Sequence, residues 1–362
     1  MLLQSQSNAL PCTIASRTPA VDCSPTVADT ALPSLEAALD QPIMTGYLQP
    51  RLAQLLQLHN TTVVGAYLID CEPGRRALVR YEVSAPERDA TTVVFGKIYS
   101  QPDQLRRVDQ VMEVLWRETF CNHRTCGIPQ PLGTLPELSM HLCLPAEGKF
   151  LDMVLTGNGA GRAIQRTAYW LGALHSHPLY LTKRFDLANE LNNLVNWATL
   201  VGERYPETAE VAQELLGSAH RQASRLSLAN ETLIHKDFHY RHVLVGRGVK
   251  VIDFDKVRLG DPSFDLAHFC ANLHLLAYRK RGTPRHFHAF ERRFLHTYAR
   301  RIGQSWSSFA RANQQAYHFF YVYSCIKLAH QLALGLGHSP APVGDERCRQ
   351  VQMMLKQGAK QA

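Results

Sequence analysis

The first half of the chain contains short segments in which β-branched and aromatic residues alternate with polar ones. Residues 61–69 and 77–83 have this pattern and flank Glu72-Pro73-Gly74-Arg75, a sequence typical of a hairpin turn. Residues 91–99 predict a third strand, and residues 141–144 predict a fourth. The chain is therefore expected to build a small antiparallel sheet before its midpoint.

Helical periodicity dominates the remaining sequence. Ser34 can cap a helix that begins at Leu35, and Gln49-Pro50 is expected to open a second helix. Residues 104–120 have helical period, and beyond about residue 149 the pattern is mostly helical. The order of elements predicts an α+β protein.

One apolar stretch is long enough to raise the question of a membrane span. Residues 319–337 are the most apolar segment of the chain, but Lys327, His330 and Gln331 interrupt it. A membrane span would have to place these side chains in hydrocarbon, so the segment is expected to be a buried helix.

Composition and pattern divide the chain into four regions. Residues 1–32, rich in Ser, Thr, Ala and Pro, predict a flexible tail. Residues 33–141 predict two helices and a small β-rich lobe, 142–148 a hinge, and 149–362 a helical lobe that carries a hairpin region at 231–265. Two lobes with a cleft between them are expected.

The hairpin region departs from the helical pattern around it. Two short apolar runs, 243–245 and 249–252, are separated by Gly246-Arg247-Gly248. Because a tight hairpin holds the ends of its strands side by side, Asp237 before it and Asp253 after it are expected to face one cleft. The alternative is that both aspartates only cap turns and have no catalytic function.

Composition and charge narrow the class of protein. The chain has 362 residues, of which 45% are hydrophobic, and a net charge of +8 that is concentrated after Asp265. Its nine scattered cysteines and polar first residues favour a reducing cytoplasm. A basic surface attracts nucleic acid, anionic lipid or phosphorylated metabolites, or merely solvates a helical face. Without a recognised nucleic-acid motif, nucleic acid is the least favoured partner.

Three motifs occur in one order around the hairpin: Ile234-His235-Lys236-Asp237, then Val251-Ile252-Asp253-Phe254-Asp255, then Gly260-Asp261-Pro262-Ser263-Phe264-Asp265-Leu266-Ala267. Together they resemble the catalytic core of the aminoglycoside phosphotransferase and choline kinase-like family. The resemblance implies a two-lobed protein-kinase-like fold, with a small antiparallel-sheet N-lobe and a mostly helical C-lobe. It also implies that the chain binds ATP and Mg²⁺.

The resemblance assigns roles to the acidic residues. Asp237 corresponds to the catalytic aspartate that orients the attacking hydroxyl, and Asp253 to the principal metal ligand. Asp255 would assist with the metal or brace the loop. Asp265 is expected to brace a loop or cap a helix, and His235 to pack beneath the catalytic loop.

The same resemblance suggests the phosphate-binding residues. Lys97, at the end of the third predicted strand, corresponds to the lysine that contacts the ATP phosphates, although an exposed strand lysine without function is the alternative. Glu113 in the following helix is its expected partner. Arg75 and Arg76 take the place of a glycine-rich loop and are candidates to cover the phosphates, if the turn is not simply exposed.

One position departs from the family pattern. Five residues after the catalytic aspartate the family has an asparagine that binds a second metal ion, and this chain has His242. Imidazole suits softer metals than Mg²⁺, so coordination by His242 would favour Mn²⁺. Otherwise His242 turns away and bonds within the loop.

These features predict an ATP-dependent phosphotransferase that acts on a hydroxyl of a small molecule. The basic C-terminal region predicts a neutral or anionic acceptor rather than a polycationic aminoglycoside. Two alternatives remain. One is a pseudokinase-like protein that binds nucleotide or a partner with little turnover, and the other is an anion-binding or nucleic-acid-binding scaffold.

Overall fold

The computed structural model describes residues 30–178, 181–226, 231–336 and 344–362. The predicted flexible tail lies outside these residues, apart from positions 30–32. The chain divides into two compact units. Unit 1 comprises the described residues up to Lys149 together with Leu244–Asp255, and unit 2 comprises those of Phe150–Val243 and Lys256–Ala362. The predicted hinge at 142–148 adjoins this division, and the second strand of the hairpin belongs to unit 1.

Unit 1 is built on a five-stranded antiparallel sheet. Its elements in the described chain are α1 (Leu35–Leu39), α2 (Gln41–Leu56), β1 (Thr62–Glu72), β2 (Arg76–Ala85), β3 (Arg88–Tyr99), α3 (Pro102–Leu115), β4 (Cys126–Gly127), β5 (Pro131–Leu135), β6 (Met140–Cys143) and, at the boundary with unit 2, β7 (Lys149–Phe150). The strand order of the sheet is β1-β2-β3-β6-β5. All four strands predicted from alternation are present.

Strand β2 shows why alternation identifies the sheet. Ala77, Val79, Tyr81 and Val83 are buried on one face, whereas the residues between them are partly exposed. The β1–β2 turn is closed by a hydrogen bond from the Arg75 amide to the Glu72 carbonyl oxygen, at 3.0 Å. The predicted hairpin is therefore confirmed.

The start of α2 differs from the prediction. The helix begins at Gln41 rather than near Pro50, because the Asp40 side chain accepts a hydrogen bond from the Ile43 amide at 2.8 Å and caps it. Met44, Leu48 and Leu52 then form the buried stripe, and Pro50 lies inside the helix. Proline is common at the first helical position, but here the stronger start signal was the aspartate ten residues earlier.

Unit 2 is mostly helical. Its helices in the described chain are α4 (Leu151–Val154), α5 (Ala160–His175), α6 (Leu187–Arg204), α7 (Ala209–Ala223), α8 (Ser263–Arg281), α9 (His288–Arg301), α10 (Trp306–Leu334) and α11 (Asp345–Ala359). Its strands β8 (Thr232–Ile234) and β11 (Arg258–Gly260) pair antiparallel. Between them in sequence come β9 (Val243–Val245) and β10 (Val249–Val251), which form the predicted hairpin; within unit 1, β10 also runs parallel to β4.

Helix α10 contains the apolar stretch noted in the sequence. Residues Phe319–Ala329 of this helix are all buried, and Phe320 contacts Phe264 of α8 with ring centroids 5.2 Å apart. None of the helices in the described part of the chain combines the length and apolar character needed to cross a membrane. The predicted buried helix and the mixed α and β fold are both confirmed.

Candidate active site

In unit 1, two carboxylates meet two cations. The Nζ atom of Lys97 lies 2.8 Å from Oδ1 of Asp253 and 2.8 Å from Oδ2 of Asp255. Arg76 is ion-paired with Asp255, and its Nη1 atom lies 3.6 Å from Oδ1 of Asp253. Strands β2 and β3 are paired neighbours, so they carry Arg76 and Lys97 to the segment after β10. The charges of the four side chains balance.

The two aspartates differ in how fully they are engaged. Asp255 is only 4% exposed, and besides Lys97 and Arg76 it accepts a 2.8 Å hydrogen bond from the Tyr99 hydroxyl. Asp253 is 20% exposed and has a left-handed backbone with φ of 69°. Asp255 therefore serves as an anchor for the cations. Asp253 is the carboxylate more accessible to a ligand.

Two sequence assignments do not match this arrangement. Among the described residues, the carboxylates paired with Lys97 are Asp253 and Asp255, not Glu113. Helix α3 instead directs Arg107 to the Asp255 carbonyl oxygen, at 3.2 Å, and Glu113, six residues later, lies on another face of the helix. Arg75 is 69% exposed and paired with Glu72, so it stands apart from the cluster that Arg76 joins.

In unit 2, Asp237 lies between two lysines. Its Oδ2 atom is 3.0 Å from Nζ of Lys256, and its Oδ1 atom is 3.1 Å from Nζ of Lys327. His268 also approaches, with Nε2 3.5 Å from Oδ1. Burial opposes ionisation, but the charges of Lys256 and Lys327 outweigh it and hold the pKa of the Asp237 carboxyl well below its ordinary value. Asp237 is therefore a permanently ionised, firmly oriented acceptor of hydrogen bonds.

A buried carboxylate, that of Asp265, binds the backbone of the loop that carries Asp237. Asp265, fully buried in the first turn of α8, accepts hydrogen bonds from the backbone amides of His235 at 2.6 Å and Lys236 at 2.8 Å. Nε2 of His175 lies 3.1 Å from the same carboxylate, and Nδ1 of His175 lies 2.8 Å from the Tyr298 hydroxyl. The expected loop-bracing role of Asp265 is confirmed.

Lys236 braces the same loop through its side chain. Its backbone is left-handed, with φ of 68°, and its Nζ atom lies 2.8 Å from Glu190 and over the ring of Phe264. Burial lowers the pKa of Lys236 to about 7, although the charge of Glu190 opposes that shift. Lys236, the residue just before Asp237, is therefore held in the interior of unit 2.

His242 also contributes to the loop. Its Nδ1 atom lies 2.8 Å from the Asp237 carbonyl oxygen, and its ring stacks on His239 with centroids 3.9 Å apart. Side-chain atoms of Asp237, His239 and His242 lie within 4.8 Å of one another, a spacing that could hold a metal ion. However, Lys256 and Lys327 already bind the Asp237 carboxylate, and their charges oppose a cation there. The structure favours the alternative in which His242 bonds within its own loop.

Sequence reasoning did not find the partners of Asp237. Lys256 follows the second motif directly, and Lys327 was noted only as an interruption of an apolar helix. A lysine in a buried helix needs a counter-charge, so Lys327 was itself a signal that a carboxylate lay nearby.

We expect Asp265→Asn to lower the free energy of unfolding by about 2–4 kcal/mol at pH 7, because it weakens three buried hydrogen bonds to a charged acceptor. Burial raises the pKa of Asp265, but the hydrogen bond and charge of His175 outweigh this and lower it. Its contribution is therefore present above the unfolded-state pKa of about 3.9 and is lost as pH falls through the lower folded-state value. Urea unfolding between pH 7 and pH 2 measures both effects.

The matched control is Asp103→Asn, at a side chain that is 87% exposed. It should stay within about 0.5 kcal/mol of wild type. If Asp265→Asn retained the full acid dependence of wild type, the bracing carboxylate would have no energetic role.

Comparisons with known proteins bear on the fold and on the family of the chain. The choline kinase of Cryptosporidium parvum Iowa II is similar in structure, with a TM-score of 0.58, 11% identity, and coverage of 89% of this chain and 95% of that one. A putative aminoglycoside phosphotransferase from Ralstonia eutropha gives a TM-score of 0.57 at 14% identity, covering 88% and 97%. Amicoumacin kinase hAmiN, in complex with AMP-PNP, Ca²⁺ and Ami, gives a TM-score of 0.56 at 12% identity, covering 88% of this chain and 96% of that one.

At such identities these likenesses show the fold alone. No curated protein matches the sequence at a significant level. The sequence itself matches the phosphotransferase enzyme family, APH, over residues 65–311, which include Lys97, Asp237, Asp253 and Asp265. The chain belongs to this phosphotransferase family.

Proposed function

We propose that this protein transfers the γ-phosphate of ATP to a hydroxyl group of a small neutral or anionic molecule. The observation that carries the proposal is the Lys97–Asp253 ion pair. The two side chains are separated by 156 positions, yet their charged atoms lie 2.8 Å apart and each side chain is about one-fifth exposed. A phosphate-binding cation and a metal-binding carboxylate are the two groups that a bound Mg²⁺–ATP requires.

The chemistry of the donors supports Asp253 as the Mg²⁺ ligand. Mg²⁺ prefers carboxylate and phosphate oxygens, and when bound it would neutralise charge on the β- and γ-phosphates. Asp255, assigned to the metal from sequence, already accepts contacts from Lys97, Arg76 and Tyr99, so we give it the anchoring role. Lys97 and Arg76 are then the cations available to the phosphates.

Asp237 is the residue that we assign to the acceptor hydroxyl. A carboxylate with a strongly lowered pKa is a weak base, so its task is to orient the hydroxyl and to take the proton late in the reaction. Phosphoryl transfer has a loose transition state that needs positioning more than proton abstraction. The fixed backbone of the loop and the two lysines at Asp237 provide that positioning.

The same lysines support the proposed acceptor class. Lys256 and Lys327 place two positive charges against the single negative charge of Asp237. A polycationic acceptor would be repelled at this point, whereas a neutral or anionic one would not. The similar structures include a choline kinase and an amicoumacin kinase, which supports the proposed reaction class but does not identify the acceptor of this chain.

We expect Asp237→Asn to keep nucleotide affinity near wild type and to lower turnover by at least about 100-fold, because the hydroxyl loses its oriented acceptor. Asp253→Ala should instead weaken Mg²⁺-dependent nucleotide binding. Glu113→Gln is the control and should match wild type in both respects, because Glu113 is not paired with Lys97. Calorimetry with a non-hydrolysable ATP analogue and steady-state assays of ATP consumption separate the two effects.

Two outcomes would overturn the assignment. If Asp237→Asn and Asp253→Ala both behaved like wild type, neither residue would take part in catalysis. Mg²⁺-dependent nucleotide binding without any Asp237-dependent turnover would instead show a pseudokinase-like binding protein.

The preference for Mg²⁺ or Mn²⁺ tests the role of His242. If His242 braces the loop, His242→Asn leaves the ratio of activity in Mg²⁺ to activity in Mn²⁺ unchanged, whatever its effect on total activity. Activity titrations with each ion, for wild type and variant, measure this ratio. A shift of the variant toward Mg²⁺ would show that the imidazole coordinates the metal.

A further inference from the structure

A second cluster of potential metal ligands lies in unit 2, on α8 and α9. His274 of α8 is buried, and its Nε2 atom lies 3.1 Å from Oε2 of Glu291 on α9. His288 lies one turn before Glu291 on α9, so the two share a face of the helix. One ligand atom from each of the three residues lies within 4.8 Å of the others.

Two tyrosines of α10 orient these ligands. Nδ1 of His274 lies 2.6 Å from the Tyr321 hydroxyl, and the Tyr317 hydroxyl donates to Oε1 of Glu291 at 3.1 Å. Metal-binding histidines usually engage their second ring nitrogen in this way, because the hydrogen bond fixes the tautomer and the ring orientation. If Nδ1–H donates to Tyr321, the Nε2 lone pair of His274 is left for an ion that would lie between His274 and Glu291.

The His274–Glu291 distance suits a small tetrahedral ion. Ligand atoms that bind Zn²⁺ at about 2.0–2.1 Å lie about 3.3 Å from each other in a tetrahedral site, close to the His274–Glu291 separation. Two imidazoles and one carboxylate favour Zn²⁺ over Mg²⁺. His288 and Glu291 are partly exposed, so an ion can enter from solvent and keep water as its fourth ligand.

The local electrostatics are compatible with a cation. The carboxylate of Glu291 is the acidic group of the cluster, and it lies against the imidazoles of His274 and His288. Arg285 and Arg292 also act on His288, but both are exposed and their repulsion is screened.

We propose that His274, His288 and Glu291 form a Zn²⁺ site that ties α8 to α9. The site is separate from the residues assigned to phosphate transfer. Binding of the ion would have a structural effect, because α8 also carries Asp265. Asp265 lies nine residues, or about 14 Å, along the helix from His274. An ion that fixes α8 would support the residue that holds the catalytic loop.

The test is Zn²⁺ binding to the purified full-length protein after dialysis against a chelator. Calorimetry should show uptake of Zn²⁺, accompanied by a higher melting temperature in Zn²⁺ than in Mg²⁺. In His288→Ala the affinity at this site should fall by at least about 100-fold, while the melting temperature in chelator stays near wild type. His286→Ala, which removes an exposed histidine two residues away, is the matched control and should bind like wild type.

The variants also decide where any bound ion lies. Zn²⁺ uptake that is equal in wild type, His288→Ala and Glu291→Gln would assign the ion to another site, such as His239 and His242, and would overturn the proposal. Absence of Zn²⁺ uptake by the wild-type protein would overturn it directly. Neither result bears on the proposed phosphate transfer, which is measured without Zn²⁺.

Discussion

The structure of the active loop depends on one buried carboxylate. Asp265 accepts hydrogen bonds from the backbone amides of the two residues just before Asp237. His175 contacts the same carboxylate through Nε2 and the Tyr298 hydroxyl through Nδ1. A buried charge without partners would cost several kcal/mol, whereas here each hydrogen bond also fixes part of the loop. Asp237, to which we assign the acceptor hydroxyl, is therefore held by a backbone that cannot easily relax. This rigidity is what positioning catalysis requires.

In each of the two units, an aspartate assigned to the reaction is paired with basic side chains. Each aspartate assigned to the reaction is met by lysine or arginine: Lys97 and Arg76 at Asp253, and Lys256 and Lys327 at Asp237. At Asp237, Lys256 and Lys327 hold the pKa of the carboxyl well below its ordinary value despite burial. The proposed function uses the same cations to contact phosphate or an anionic acceptor.

The parts that sequence could predict are those encoded by short-range pattern. Alternation predicted β2 and β3, and the ordered motifs around the hairpin predicted the loop-bracing role of Asp265. The roles assigned to Asp237 and Asp253 from those motifs stay predictions. The side chains that contact these aspartates come from distant positions in the sequence. Which side chain of a helix makes the contact depends on the rotation of that helix about its axis. For this reason Arg107 rather than Glu113 faces Asp255, and Lys327 was not assigned to Asp237. His242 illustrates the same limit, because residue type suggested a metal ligand and only the loop geometry revealed a bond to the Asp237 carbonyl oxygen.

The most direct test of the central claim is phosphate transfer from labelled ATP to a panel of metabolites. The panel contains neutral sugars, phosphorylated metabolites and polycationic aminoglycosides, with product masses determined for wild type and for a protein lacking the Asp237 carboxylate. We expect a phosphorylated product from a neutral or anionic hydroxyl compound, formed only when the Asp237 carboxylate is present. Efficient phosphorylation of a kanamycin-like compound would contradict the acceptor class, and a complete lack of carboxylate-dependent product across a broad panel would contradict phosphate transfer itself.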